Sequence, residues 1–128
     1  MPLTEHEPRA QLPGEVVEQR RALESLIEEL EAVAWYNERA AASDKPDLSA
    51  ILTHNRDEEI EHAMMALEWL RRMMPEFDER MRTYLFSSGD ITALEEQAED
   101  GDGGSQGESQ QGSASAGSLN IGSMRTGA

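Results

Sequence analysis

The sequence predicts an all-α chain: two long helices folded back as an antiparallel hairpin, then a shorter third helix. Three observations predict it. Apolar residues recur at spacings of three and four over two long stretches, the segment "ASDKPD" interrupts that pattern between them, and no stretch alternates apolar and polar residues as a strand would. The first helix is expected from Glu15 to Ala42, opened by "LPG" and closed by the Ser, Asp and Pro of the interruption. The second is expected from Pro46 to Met74. Pro46 brings a φ already suited to a first turn, Asp47 puts negative charge at the positive end of the helix dipole, and Pro75 disfavours α geometry at Met74. A third helix from Glu76 to Phe86 ends at "SSGD", and "TALE" (Thr92 to Glu95) has the spacing of a capping box that starts one further short turn.

Composition divides the chain unevenly. Eight of its 10 glycines follow Glu99, in a region with too few large apolar side chains to repay the entropy of ordering it. The folding unit is therefore expected over residues 15–96, with a flexible N-terminus at 1–14 and a tail from 97 onward. Three helices bury little on their own, and chains of this size usually add disulfides, a metal or oligomerisation. With no cysteine, disulfides, thiolate zinc sites and iron–sulfur clusters are excluded, so any metal must be held by oxygen and imidazole. A net charge of −15, from 26 acidic and 11 basic residues, argues against nucleic acid and anionic membranes as partners and favours cations. No apolar run approaches the roughly 20 residues that span a bilayer, and "MPLTEHEPRAQLPG" lacks the layout of a signal peptide, so a soluble, cytoplasmic protein is expected.

Two helical faces carry acids where apolar residues belong. In the first helix Glu29 shares a face with Ala22, Leu26, Val33 and Tyr36; in the second the face reads Leu48, Leu52, Asn55, Glu59, His62, Ala66, Trp69, Met73. A carboxylate within an apolar seam is costly unless it is paired or binds a metal. Glu59 and His62, three apart, stand side by side on their helix, and a shared metal would account for all three groups. A partly exposed histidine on an acidic helix is the plain alternative for His62.

Di-iron carboxylate bundles take one Glu from each of two helices and a Glu-x-x-His pair from each of two others. This chain has one helix of each kind. It encodes half a ligand set on half a four-helix bundle, and a two-fold dimer of hairpins would complete both at once.

The residues that carry this pattern also carry a resemblance. "EELEAVAWYNERA" (Glu28 to Ala40), "HNRDEEIEHAMMALEWLRR" (His54 to Arg72) and "RTYLF" (Arg82 to Phe86) occur in the order found in the encapsulated ferritin-like proteins, which the chain resembles over nearly all of its folding unit. The resemblance implies a ferroxidase with a ferritin-like four-helix bundle formed by dimerisation, a di-iron site between subunits, and dimers arranged as an annular decamer. By position Glu29, Glu59 and His62 of each of two subunits would be the iron ligands. Glu28 and Glu31 would attract metal at a secondary site on the approach, and Trp35 and Tyr36 would border the site. Solvated helix surface is the alternative for Glu28 and Glu31, and interface packing for Trp35 and Tyr36.

The tail adds a partner. "GSLNIGSMR" (Gly117 to Arg125) resembles the C-terminal peptides that dock cargo on the inner wall of encapsulin shells, with Met124 where a leucine is common. Leu119 and Ile121 are two apart, so an extended segment presents both to one side, and the Gly/Ser-rich residues 97–117 form a tether. Residues 118–125, Ser118 to Arg125, are the expected targeting peptide, followed by a short tail at 126–128, and the expected location is the inside of an encapsulin nanocompartment. Many weak copies on one assembly would bind by avidity. A non-enzymatic class competes with this reading: an acidic helical cargo or scaffold protein whose Glu29, Glu59 and His62 hold a structural calcium or zinc ion. Histidine disfavours calcium there.

Overall fold

In a computed structural model, residues 4–102 are described, and every described element is helical. The expected tether beyond residue 102 and the Ser118–Arg125 peptide lie outside the described residues. A single 3-10 turn at Arg9–Gln11 is followed by α1 (Gly14–Ala42), α2 (Pro46–Met73), α3 (Pro75–Tyr84) and α4 (Ile91–Asp102). The chain divides into two compact units, one through Met81 and one from Arg82.

In the first unit α1 and α2 pack along each other as the expected hairpin. Three residues, Ser43 to Lys45, make the bend. Ser43 N–H donates to Arg39 O at 3.0 Å and closes the last turn of α1, while Ser49 Oγ donates to Ala40 O at 2.9 Å and ties the first turn of α2 back to α1. Pro46 occupies the first turn, and the Asp47 carboxylate accepts from Leu48 N–H at 2.8 Å. Further along, Arg56 Nη1 donates to Asn37 Oδ1 across the two helices at 2.9 Å.

Burial is sparse. Among the described residues only Ala63 and Leu70, both on α2, are fully buried. Leu48, Ile51, Met65, Trp69 and Met73 of α2 and Leu30 and Trp35 of α1 are all exposed for more than a third of their surface. A lone hairpin leaves its stripes wet in this way.

The α2–α3 corner is fixed by charge as well as by Pro75. Arg71 reaches both oxygens of Glu68 at 2.8 Å and also the Asp78 carboxylate on α3, while Arg72 Nε donates to Glu68 at 2.7 Å. The hydrogen bonds from Arg71 and Arg72 hold the Glu68 carboxyl at about 2, well below its ordinary range, and the bonds that Arg71 donates to Glu68 and Asp78 push Arg71 up.

Two helix ends differ from expectation. The third helix stops at Tyr84 rather than Phe86: Ser87 Oγ donates to Tyr84 O at 2.7 Å, and Phe86 adopts φ 61°, which a continuing helix does not allow. The fourth element is a twelve-residue helix rather than a short turn, and it runs past residue 96 to Asp102. Its N-terminal cap is Asp90 rather than Thr92. One Asp90 oxygen accepts from Thr92 N–H at 3.1 Å and from Thr92 Oγ at 3.0 Å, the arrangement that satisfies a free donor of the first turn.

Candidate metal centre

The antiparallel hairpin brings the middle of α1 beside the middle of α2, and with them the acids predicted to share a site. Glu29, Glu59 and His62 each offer a donor atom, and the three atoms lie within 4.8 Å of one another. His62 Nδ1 is 3.2 Å from Glu59 Oε1 on its own helix and 3.7 Å from Glu29 Oε2 on the other. The two carboxylates are about three-quarters covered, with side chains 27% and 24% exposed, whereas His62 is 45% exposed. The cluster therefore sits at the rim of the hairpin's contact, with one side open.

Burial raises the Glu29 carboxyl above its ordinary range. Its hydrogen bond with Glu59 and the like charges of Glu59 and Glu28 push in the same direction, and His62 opposes them. Two carboxylates sharing one desolvated spot hold more negative charge than the single imidazole can balance. A cation in the open side would relieve all three causes together. Two hard oxygen donors and one imidazole nitrogen suit Fe(II), Mn(II) or Zn(II), and three donors leave coordination positions unfilled.

The other predicted residues fall around this cluster without joining it. Glu28 is exposed and acts on Glu29 through its charge. Glu31 is half-buried and is not one of the three converging donors. Trp35 is half-exposed, and Tyr36 is half-buried with the Arg39 guanidinium 5.7 Å from its ring centroid. Arg39 and the Arg56–Asn37 bridge were not anticipated from the sequence. The cation over Tyr36 was legible in the three-residue spacing, but a bridge between helices needs their register.

Fold and site together define a helical-hairpin protein with a carboxylate–imidazole cluster on a half-exposed face. Residues 4–88 match the family profile described as EncFtn-like. A Rhodospirillum rubrum protein named encapsulated ferritin-like protein is 55% identical over 77% of this chain and 72% of its own length. A Thermotoga maritima protein named ferritin-like protein is 53% identical over 75% of this chain and 84% of its own. A crystal structure of a protein from Nitrosomonas europaea superposes with a TM-score of 0.66 at 50% identity, covering 68% of this chain and 96% of that one. The chain belongs to the EncFtn-like family of encapsulated ferritin-like proteins.

Proposed function

We propose that this protein is a ferroxidase whose di-iron site forms between two copies of the chain and which supplies ferric iron for storage inside an encapsulin shell. The observation that carries the reading is the convergence of Glu29, Glu59 and His62 on a face whose flanking apolar residues are left exposed. Two such faces, related by a two-fold axis, supply four carboxylates and two imidazoles, the donor set of di-iron bundles. The same pairing covers exposed apolar surface beside the cluster, Leu48 and Ile51 among it, so one event completes the ligand set and removes apolar surface from water.

Fe(II) is the substrate. Glu29 and Glu59 attract it and neutralise its charge, and His62 adds a nitrogen donor that stays metal-binding when it is neutral. Two Fe(II) ions held together give one electron each to one dioxygen, and Fe(III) then leaves. Glu28 and Glu31 would form a secondary approach site, and Trp35 and Tyr36 would border the centre. The family name and the Gly117–Arg125 segment support an encapsulin shell as the partner, and an annular decamer built from dimers would present ten targeting peptides to it.

The test is aerobic addition of Fe(II) to the purified protein, followed by absorbance of the ferric product. Oxidation well above the rate in buffer supports a ferroxidase. Metal binding without oxidation would favour the non-enzymatic class, a structural calcium or zinc site that fixes a scaffold.

A further inference from the structure

Phe86 combines two features that the end of α3 has no local use for. Its φ of 61° lies in the left-handed region, which glycine fills readily after a helix and a bulky side chain enters only under strain. Its side chain is 96% exposed, so burial in its own chain does not offset that strain. The backbone aims an aromatic ring into solvent. Leu85 and Ile91, close in sequence, are exposed as well.

The first unit offers a matching hole. A pocket of about 230 Å³ lies where the N-terminal turns of α1 meet the C-terminal turns of α2, lined by Trp69, Met73, Glu15, Glu18 and Gln19. Met73 is about 16 Å along α2 from His62, so the pocket sits beyond the metal donors, at the margin of the face that carries them. In a chain of net charge −15, contact between copies also needs local opposite charge. Arg80 and Arg82 precede the Phe86 ring on α3, and Glu15 and Glu18 stand at the pocket's rim, although Glu18 already pairs with Arg21.

We propose that Phe86 is an anchor by which one copy of this chain docks into the Trp69–Met73 pocket of another copy. Knob and hole are different patches of the same surface, so either two copies exchange knobs across a two-fold axis or each copy passes its knob to the next until a ring closes. It joins what the metal-bearing face pairs. The proposal does not require Glu29, Glu59 and His62 to bind iron.

The chain has no cysteine, so thiols can be placed singly: Ser88→Cys beside the knob in one preparation and Gln19→Cys at the rim of the hole in another. The two are mixed anaerobically, with and without Fe(II), and treated with a short bis-maleimide. A mixed cross-linked pair that outweighs like-with-like products is expected. Adding Phe86→Ser to the Ser88→Cys chain should reduce it about tenfold or more, as truncating an aromatic anchor does, while Phe86→Met should retain it. Phe86→Gly relieves the backbone strain and cannot fail for that reason, so the same loss in that variant tests the ring alone. Absence of the mixed product, its survival in Phe86→Ser, or cross-linking within one chain carrying both cysteines would each overturn the proposal. Iron oxidation failing while the mixed product forms would overturn only the ferroxidase reading.

Discussion

A site divided between two chains makes a quantitative prediction that a site within one chain does not. His62 contributes one of three donor atoms and is 45% exposed, so His62→Ala removes a ligand at little cost to packing. Wild-type and His62→Ala chains are mixed metal-free, unfolded and refolded together, so that pairing is random. At equal amounts about a quarter of pairs are wild type on both sides, about half have lost one imidazole and about a quarter have lost both. If an intact set of six donors is needed, initial oxidation after aerobic Fe(II) addition should fall to about a quarter of the undiluted rate and follow the square of the wild-type fraction. A site complete within each chain would retain about half and give a straight line. Glu29→Ala and Glu59→Ala should reproduce the curve, because each also removes one donor per chain. A straight line for all three, with circular dichroism showing intact helices, would refute the shared site.

Three further outcomes follow from the fold and the tail. Leu70→Ala, at the largest fully buried side chain, should cost about 2–5 kcal/mol, read as a lower thermal midpoint of the metal-free protein; an unchanged midpoint would show that this position is not core. Glu68, held at about 2 by Arg71 and Arg72, contributes stability that is present above its unfolded value near 4.5 and is lost as pH falls through about 2. The gap in urea midpoint between wild type and Glu68→Gln should therefore close on acidification, and a gap that persists at the acid end counts against the pairing. Replacing Leu119 and Ile121 with Ser, or truncating after Asp102, should abolish co-purification with a co-expressed encapsulin shell and leave iron oxidation near the wild-type rate; packaging that survives both places the docking elsewhere.

The hairpin and its carboxylate–imidazole cluster were legible because both are periodic. Glu29, Glu59 and His62 stood out by sitting on apolar stripes, and stripes are set by helix geometry that any 3.6-residue repeat reveals. Their cross-helix proximity then followed from the short Ser43–Lys45 bend, across which two long amphipathic helices cover each other's apolar stripes best as an antiparallel return. Local exceptions were less legible. Nothing in "RTYLFSSGD" announces that Phe86 takes a left-handed φ, since sequence rules assign that conformation to glycine or asparagine, and Gly89, three residues later, was the natural stop. Asp90 is a less legible cap than Thr92, whose "TALE" spacing fits a capping box, although Asp caps as well as Thr does. The Arg71–Asp78 bridge depends on the corner that Pro75 makes, and no spacing rule spans a corner.

A ligand set split between chains would couple assembly to metal through the charges of Glu28, Glu29 and Glu59. In one hairpin, burial and the neighbouring Glu59 raise the Glu29 carboxyl. In the proposed dimer a second pair of carboxylates arrives at the same spot while the apolar stripes shut out water, so both causes strengthen together and oppose association. A divalent cation reverses the sign of that contribution, because the charges that repelled one another now coordinate it. Apolar burial alone then need not hold the dimer together, and Fe(II), which binds only the paired form fully, shifts the equilibrium toward it by mass action. An apolar stripe without acids would pair indiscriminately; in the proposed dimer Glu29 and Glu59 would make pairing conditional on the substrate.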